Sequence, residues 1–156
     1  MTLEEIACVP LAGKSVLIIG SPASGKTYLS QILGPMNPRH DVIHTDKYLK
    51  MYDNVGRSVY AAFEDAAHYK SVIIEGVLGY EILLEGYKNK SYYPDIIIEV
   101  QLSAGKQREI YLSERDANKL RHLRHFQLLN QAKLNEYFRI CPKDQQPIFI
   151  EYQNQF

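Results

Sequence analysis

The segment from Gly20 to Thr27 is rich in glycine and ends in a lysine and a threonine, residue types that together hold phosphate groups. It matches the pattern Gly-x-x-x-x-Gly-Lys-Thr without exception. Glycines at these positions let the backbone turn tightly, so that its N–H groups point inward at an anion. The lysine reaches the outer phosphates of a nucleotide, and the threonine hydroxyl is a ligand for Mg²⁺. We therefore predict that a nucleoside triphosphate binds here, in contact with Gly20, Ser21, Pro22, Ala23, Ser24, Gly25, Lys26, Thr27 and Tyr28.

The residues on either side of this phosphate loop, 20–27, support that role. An aliphatic run from Val16 to Ile19 precedes the loop and predicts a buried strand, and a helical pattern begins at Lys26. A helix that starts at the loop adds the positive end of its dipole to the site. A glycine- and serine-rich turn without a ligand is the alternative, but such a turn would not require this strand and this helix.

Two carboxylates follow predicted strands and are candidates for catalysis beside Lys26. Asp46 lies two residues after the strand 41–44, where it can accept the proton of an acceptor hydroxyl. Its alternative role is to cap a helix that starts at Lys47. Glu75 ends the third aliphatic strand, where a half-buried carboxylate can hold a metal-bound water or the acceptor. A purely structural Glu75 would still need a hydrogen-bonded partner. The predicted Mg²⁺ ligands are Thr27 and Glu75.

A basic stretch between residues 106 and 125 predicts a lid over the phosphates. Six basic residues against three acidic ones leave a local excess of three positive charges. Arginine suits this role because its guanidinium group binds phosphate oxygens in a bidentate manner. Arg115 is the predicted catalytic lid residue, since it lies nearest an expected helix break at Asp116, and Arg121 and Arg124 are the next candidates. A solvated helix face is the alternative for any one of these arginines.

The histidines and tyrosines carry weaker signals. The five histidines show no metal-binding spacing, and we assign none of them a catalytic role. Tyr48, Tyr52 and Tyr60 follow Asp46, where an aromatic ring can stack on a base or a sugar. Core packing is the expected role of most tyrosines.

Short β-branched runs alternate with helical patterns along the chain. The predicted strands are 15–19, 41–44, 71–75, 95–102 and 147–152. The predicted helices are 26–33, stopped by Gly34 and Pro35, a helix with an apolar stripe from Val59 to Ala67, a short helix at 80–87, and a stretch at 103–138. In the second part of that last stretch, one face is expected to hold Leu123, Phe126, Leu134, Tyr137 and Phe138.

These elements predict an α/β fold. The aliphatic runs are continuous rather than alternating, as in strands that are covered on both faces of a parallel sheet. We predict a single domain over residues 1–156, with the three-layer P-loop NTPase architecture: a five-stranded, mainly parallel sheet flanked by helices. A lid is expected over residues 104–138, and the ligand is expected beyond the carboxyl ends of the strands.

The composition argues against several classes of protein. In 156 residues, 18 basic side chains balance 18 acidic ones, so no overall field attracts nucleic acid or an anionic membrane. Cys8 and Cys141 belong to no cysteine or histidine cluster, so neither a zinc site nor a disulfide framework is supported. No basic signal segment is present, and no apolar run approaches the ~18 residues of a membrane span. The expectation is a cytoplasmic monomer or homodimer that does not bind membranes.

The order of these motifs resembles the P-loop kinases of small molecules. The features that carry the resemblance are the phosphate loop, the segment Asp46-Lys47-Tyr48-Leu49, the segment Ile73-Ile74-Glu75-Gly76 and the basic region at Arg115. The chain is most similar to the uridine kinase and nicotinamide riboside kinase group, and then to nucleoside monophosphate, shikimate and gluconate kinases and polynucleotide kinase. The resemblance covers Lys14 to Tyr152, and within it only the phosphate loop is specific.

The resemblance implies ATP and Mg²⁺ as cofactors. It also implies that Asp46 activates the acceptor, that Glu75 is the third-strand glutamate and that Arg115 is a lid arginine. The family usually has a longer substrate-binding region and a more complete arginine-rich lid than this chain, so the acceptor stays open.

Three functions fit these residues. The first is an ATP-dependent kinase that moves the γ-phosphate to a hydroxyl of a nucleoside, nucleotide or similar small metabolite. The second is a 5′-hydroxyl polynucleotide kinase, in which a nucleic acid is the acceptor and the basic stretch contacts it. The third is a switch or partner-binding module that binds ATP without transferring phosphate.

Overall fold

The structure is a computed structural model that describes residues 1–21, 24–114 and 119–154, with the backbone alone for part of the region 104–123. Helices and strands alternate over this length. The strands are β1 Ser15–Gly20, β2 Asp41–His44, β3 Val72–Glu75, β4 Ile96–Gln101 and β5 Ile148–Gln153. The helices are α1 Leu3–Ala7, α2 Lys26–Met36, α3 Asp46–Tyr52, α4 Val55–Ala67, α5 Gly79–Lys88, α6 Ala104–Glu114 and α7 Lys119–Ile140, with a 3₁₀ turn at Lys143–Gln145.

The five strands form one sheet in the order β2-β3-β1-β4-β5, and all of its pairings are parallel. The predicted α/β class and five-stranded parallel sheet are thereby confirmed. Strand β1 lies at the centre, and the chain passes to one side of it before crossing to the other. A ligand site is expected at such a reversal, beyond the carboxyl ends of the strands. The phosphate loop follows β1 and therefore occupies this position.

Helices cover both faces of the sheet. Leu17 and Ile19 of β1 belong to a core shared with α3, α4, α5 and α7. Val16 and Ile18 alternate with them and belong to a second core, which α1 and α2 cover. Because β1 is buried on both faces, its aliphatic run is continuous, as the sequence pattern indicated. Within the described part of the chain, no helix is both long and apolar enough to cross a membrane.

Helix α2 extends beyond the predicted stop. It includes both Gly34 and Pro35 and ends at Met36. Pro35 lies in the last turn, where its missing N–H removes a single helical hydrogen bond rather than breaking the helix. The side-chain amide of Asn37 then donates to the Leu33 carbonyl oxygen at 2.9 Å and closes the end of the helix.

The expected apolar face of α7 is only partly correct. Leu134 and Tyr137 are buried in the core, and Phe138 packs against it. Phe126, in contrast, is half exposed, and Asn130 is buried instead. The side chain of Leu123 lies outside the described residues. Among the described side chains of α7, apolar residues therefore pack against the core from Leu134 onward but not between residues 124 and 133.

The end of β3 is packed against the start of α3 without space for a side chain. Gly76 has a φ of +143°, a conformation that L-residues rarely adopt. A Cβ atom on Gly76 would lie 1.9 Å from Oγ1 of the buried Thr45. In addition, the Thr45 amide donates to the Glu75 carbonyl oxygen at 2.9 Å. Asp46 directly follows Thr45 in the chain. The position of Asp46 therefore depends on the presence of a glycine after Glu75.

We predict that Gly76→Ala lowers the free energy of unfolding by about 3 kcal/mol, because backbone strain and overpacking act together. Gly13→Ala is the matched control. Gly13 also has a positive φ, +73°, but a Cβ atom there would meet nothing within 4 Å, so its loss should be about 1 kcal/mol. Urea unfolding of both variants measures the difference. Equal losses would show that contact with Thr45 does not constrain this corner.

Candidate functional site

The phosphate loop has the backbone geometry that its two glycines predict. Gly25 has a φ of +100° and immediately precedes α2. A Cβ atom on Gly20 would lie 2.5 Å from Ser24 Oγ and 2.8 Å from the Val100 carbonyl oxygen, so a side chain does not fit there. The Ser24 hydroxyl is buried and has no partner among the described residues. Two residues of the predicted contact set, Pro22 and Ala23, lie outside the described part of the chain.

Lys26 is a buried cation at the mouth of the loop. The residue is 6% exposed, and its Nζ donates to the Ser21 carbonyl oxygen at 2.8 Å. Burial lowers the pKa of Lys26 to about 8, although the negative charges of Glu75 and Asp46 oppose this shift. An ammonium group has three donors, and the described residues supply one backbone acceptor for them. Phosphate oxygens would supply both the missing acceptors and the missing charge.

Glu75 and Thr27, the two predicted Mg²⁺ ligands, are in hydrogen-bond contact. Glu75 is 4% exposed, and its Oε2 accepts a hydrogen bond from Thr27 Oγ1 at 3.3 Å. Mg²⁺ is usually bound by one or two oxygen ligands from the protein, with substrate phosphates and waters completing the octahedron. A hydroxyl and a carboxylate side by side at the phosphate loop are suitable ligands for this ion. The two side chains that we predicted as Mg²⁺ ligands therefore lie together.

His44 is part of this cluster, although sequence reasoning gave it no role. Its Nδ1 lies 2.5 Å from Glu75 Oε1, so the carboxylate is held from both sides by His44 and Thr27. His44 is also the register partner of Glu75 in the pairing of β2 with β3. The sequence shows that His44 and Glu75 are each the last residue of a short aliphatic strand. Their contact depends on the register between the two strands, which the sequence does not give.

Asp46 lies at the same edge of the sheet and is free of the capping role that was its alternative. It is the first residue of α3, Thr45 occupies the N-cap position, and no side chain forms a capping hydrogen bond there. The expected helix start at Lys47 is therefore wrong by one residue, because the chain turns helical directly after β2. The Asp46 side chain is exposed, and its charge acts on Lys26.

Asn154, just after β5, is a further contact that the sequence did not indicate. Its side-chain Nδ2 donates to the Ser24 carbonyl oxygen at 3.3 Å, and its backbone amide donates to the Gln101 carbonyl oxygen at 2.8 Å. Asn154 itself is buried. It therefore ties the phosphate loop to the carboxyl ends of β4 and β5.

The described residues do not include an assembled arginine lid. Arg115, the predicted lid residue, lies outside the described part of the chain, as does the expected break at Asp116. The side chain of Arg121 is likewise not described, and Arg124 is exposed on α7. The tyrosines after Asp46 divide between two roles. Tyr48 is buried and donates to Asp65 Oδ2 at 2.6 Å, whereas Tyr52 and Tyr60 are exposed.

Comparison with known proteins identifies the fold. No protein-family model and no curated protein sequence matches the chain. Among solved structures, shikimate kinase from Bacteroides thetaiotaomicron is 12% identical, with a TM-score of 0.53 over 86% of this chain and 85% of that one. Thymidylate kinase from Candida albicans is 13% identical, with a TM-score of 0.49 over 90% of this chain and 83% of that one. The similarity to shikimate kinase, together with the parallel five-stranded sheet flanked by helices, confirms the predicted three-layer α/β fold.

The buried charge of Lys26 predicts a specific pH dependence of stability. The pKa of Lys26 is about 8 in the folded chain and 10.5 in the unfolded one, so between these values the unfolded chain binds more protons. Stability must then rise with pH. Lys26→Met lacks this contribution. We therefore expect the free energy of unfolding of Lys26→Met, relative to that of the wild type, to fall by about 2 kcal/mol from pH 7 to pH 10. Urea unfolding at both pH values measures it. Parallel pH profiles for the two proteins would contradict the buried charge.

Proposed function

We propose that the chain is an ATP- and Mg²⁺-dependent kinase that transfers the γ-phosphate to a hydroxyl of a nucleoside, nucleotide or similar small metabolite. The observation that carries the proposal is the convergence of four side chains at one edge of the sheet. Lys26 and Thr27 follow β1, Asp46 follows β2, and Glu75 ends β3. Phosphoryl transfer needs a cation at the phosphates, ligands for Mg²⁺ and a group that accepts a proton. Each of these needs has a candidate here.

Lys26 supplies positive charge where negative charge develops. Its ammonium is buried and already turned toward the loop carbonyl of Ser21. A fixed cation in a site that excludes water stabilises the transferring group more strongly than a solvated one. Mg²⁺, when bound, neutralises charge on the β- and γ-phosphates. Thr27 and Glu75 would hold it, and His44 would keep the Glu75 carboxylate in a fixed orientation.

Asp46 is the proposed proton acceptor. In the reaction, the acceptor oxygen bonds to the γ-phosphorus while the bond from that phosphorus to the β–γ bridging oxygen breaks, and ADP leaves. The hydroxyl proton passes to the Asp46 carboxylate. Three properties suit Asp46 to this role: it is exposed, it is not used in capping α3, and it lies within electrostatic reach of Lys26.

The test of the function is the transfer of label from γ-labelled ATP in the presence of Mg²⁺. The acceptor panel holds nucleosides, nucleoside monophosphates, sugar acids and 5′-hydroxyl oligonucleotides. Label on a small metabolite supports the proposal. Label on the oligonucleotides alone would identify a polynucleotide kinase instead. Bound ATP with no labelled acceptor would favour the switch or partner-binding module.

Asp46→Asn should bind ATP as the wild type does but transfer phosphate about 10²- to 10⁴-fold more slowly, because the amide cannot accept the proton. Asp53→Asn is the matched control. Asp53 ends the same helix with a φ of +47°, a conformation that asparagine tolerates. Single-turnover transfer and ATP titration of both variants give the rate and the affinity. An unchanged rate in Asp46→Asn would remove Asp46 from the mechanism.

A further inference from the structure

A polar cavity of about 320 Å³ opens beside the phosphate loop, between the end of β4, α5 and α7. We call it the Glu99 pocket, and its lining includes Ser21, Tyr80, Glu99, Gln101 and Asn130. Glu99 is the register partner of Ile19, the residue directly before the phosphate loop. Ser21 belongs to that loop, and its carbonyl oxygen accepts from Lys26. The pocket therefore adjoins the place where the outer phosphates are expected.

Glu99 brings a buried negative charge to this pocket. It is 9% exposed, and both of its oxygens accept hydrogen bonds from uncharged groups. Oε1 accepts from Gln101 Nε2 at 2.7 Å, and Oε2 accepts from Tyr80 Oη at 3.4 Å. Two accepting oxygens indicate an ionised carboxylate, because a protonated one would donate from one of them. Burial and the charge of Glu99 raise the pKa of Tyr80, which therefore stays a phenol and can donate this bond.

The charge of Glu99 has no cationic partner in the described part of the chain. Glu99 is the only charged side chain among the described residues that line the pocket. It also takes part in none of the ion pairs that the described residues form. A buried carboxylate with neutral partners alone destabilises the folded chain. A ligand that brings a positive charge into the pocket would remove this cost.

Asn130 on α7 provides a second, independent indication of a ligand. It lines the pocket and is 8% exposed. Its side chain forms no hydrogen bond with another described residue, although buried amides normally have partners. The amide oxygen of Asn130 can accept from an N–H group in the pocket. An ammonium group has three donors and could bond to both Glu99 and Asn130.

The size of the pocket decides which kind of cation it suits. A dehydrated monovalent metal ion is about as large as a water molecule, which needs on the order of 15 Å³ of cavity. A divalent ion prefers several oxygen ligands with more negative charge than one carboxylate supplies. The volume of about 320 Å³ instead falls in the range of sites for small organic molecules, about 300 to 1,000 Å³. An organic ammonium compound therefore fits the pocket better than a metal ion.

The distance from the pocket to Asp46 limits the length of such a compound. Strands β4 and β2 are separated by three strand intervals, or about 14 Å. A hydrogen bond of about 3 Å at each end leaves roughly 8 Å between the amino group and the reacting hydroxyl. A hexose ring with an amino group on one side and a hydroxyl on the other spans a distance of this order. The phosphate loop follows β1, which lies between β4 and β2.

We propose that the Glu99 pocket binds the ammonium group of the phosphate acceptor, and that this acceptor is an amino sugar or a similar aminated polyol. The inference rests on the proposed kinase function and narrows its substrate class. Glu99 and Asn130 are the specificity-determining residues, and Asp46 and the phosphate loop perform the transfer. Phosphate and carboxylate groups are excluded from the pocket, because like charges repel strongly where water is excluded.

The first test compares matched ligands on the wild type and needs no variant. The probes are glucosamine, galactosamine and mannosamine, each beside its parent sugar, which has a hydroxyl in place of the amino group. Transfer of label from γ-labelled ATP is measured at about pH 6.5, where the amino groups are protonated. We expect kcat/KM to be at least about tenfold higher for an amino sugar than for its parent, the gain expected for a hydrogen bond between charged groups. Equal values in all three pairs would overturn the proposal.

The second test assigns this preference to Glu99. Glu99→Gln should raise the KM for the amino sugar at least about tenfold and abolish the preference over the parent sugar. Glu151 is the register partner of Glu99 on β5 but is exposed, so Glu151→Gln is the matched control and should behave as the wild type. Glu99→Gln should also raise the midpoint of urea unfolding, because it removes an uncompensated buried charge. A purely structural Glu99 would instead lower that midpoint and leave the preference in place.

Asn130→Leu keeps the assignment testable if Glu99→Gln does not fold. Leucine has a similar size and continues the apolar residues of α7 toward Leu134, so we expect the fold to be retained. The KM for the amino sugar should rise more than the KM for the parent sugar, which a purely structural Asn130 would not produce. An equal change for both sugars would contradict the proposed role of Asn130 and of the pocket.

Failure of this inference can be distinguished from failure of the kinase function. Preferred labelling of uridine, of its monophosphate or of gluconate would overturn the inference and leave the kinase in place. K⁺-stimulated transfer to an uncharged sugar, lost in Glu99→Gln, would likewise overturn it and identify a metal-ion site. If no acceptor is labelled, the kinase function fails, and binding of the amino sugars beside a non-hydrolysable ATP analogue then decides the pocket. Binding that Glu99→Gln weakens would support it, and absence of binding would overturn it.

Discussion

The ammonium group of Lys26, held out of water at the carboxyl end of the central strand, is the constraint around which the site is arranged. Among the described residues it donates to the loop carbonyl of Ser21, and burial lowers its pKa to about 8. A buried cation that is so incompletely paired destabilises the folded chain unless an anion joins it. The loop geometry at Gly20 and Gly25 makes room for such an anion, and the start of α2 adds a favourable dipole. The fold therefore accepts a cost in stability at the place where it would bind phosphate.

The acidic side of the site depends on how β2 and β3 end. Glu75 is buried between Thr27 and His44, and Gly76 then turns the chain with no side chain against Thr45. These contacts fix the positions of Glu75 and Thr27 relative to Asp46. Because the strands are parallel and short, residues far apart in sequence reach the same edge of the sheet.

Much of the fold could be predicted from the sequence because continuous aliphatic runs, such as Val16 to Ile19, mark strands that are buried on both faces. The phosphate loop could be predicted because its residue types and spacing are set by local backbone geometry. The contact of His44 with Glu75 could not, since it depends on the register between two strands. Nor could the burial of Asn130 on α7, because Phe126 and Asn130 lie close together on the helix and the sequence favours the apolar residue for the buried position. Tertiary packing decided between them. The roles of Asp46, Glu75 and Arg115 stay predictions.

Calorimetric titration of Mg²⁺-ATP into the protein at pH 8.5, in two buffers with different ionisation enthalpies, tests the central claim most directly. If phosphates are the missing partner of Lys26, whose pKa burial lowers to about 8, nucleotide binding must be accompanied by proton uptake, and the heat must depend on the buffer. Lys26→Met should bind at least about tenfold more weakly, with no uptake. Equal binding by both proteins, with heats that do not depend on the buffer, would contradict the account.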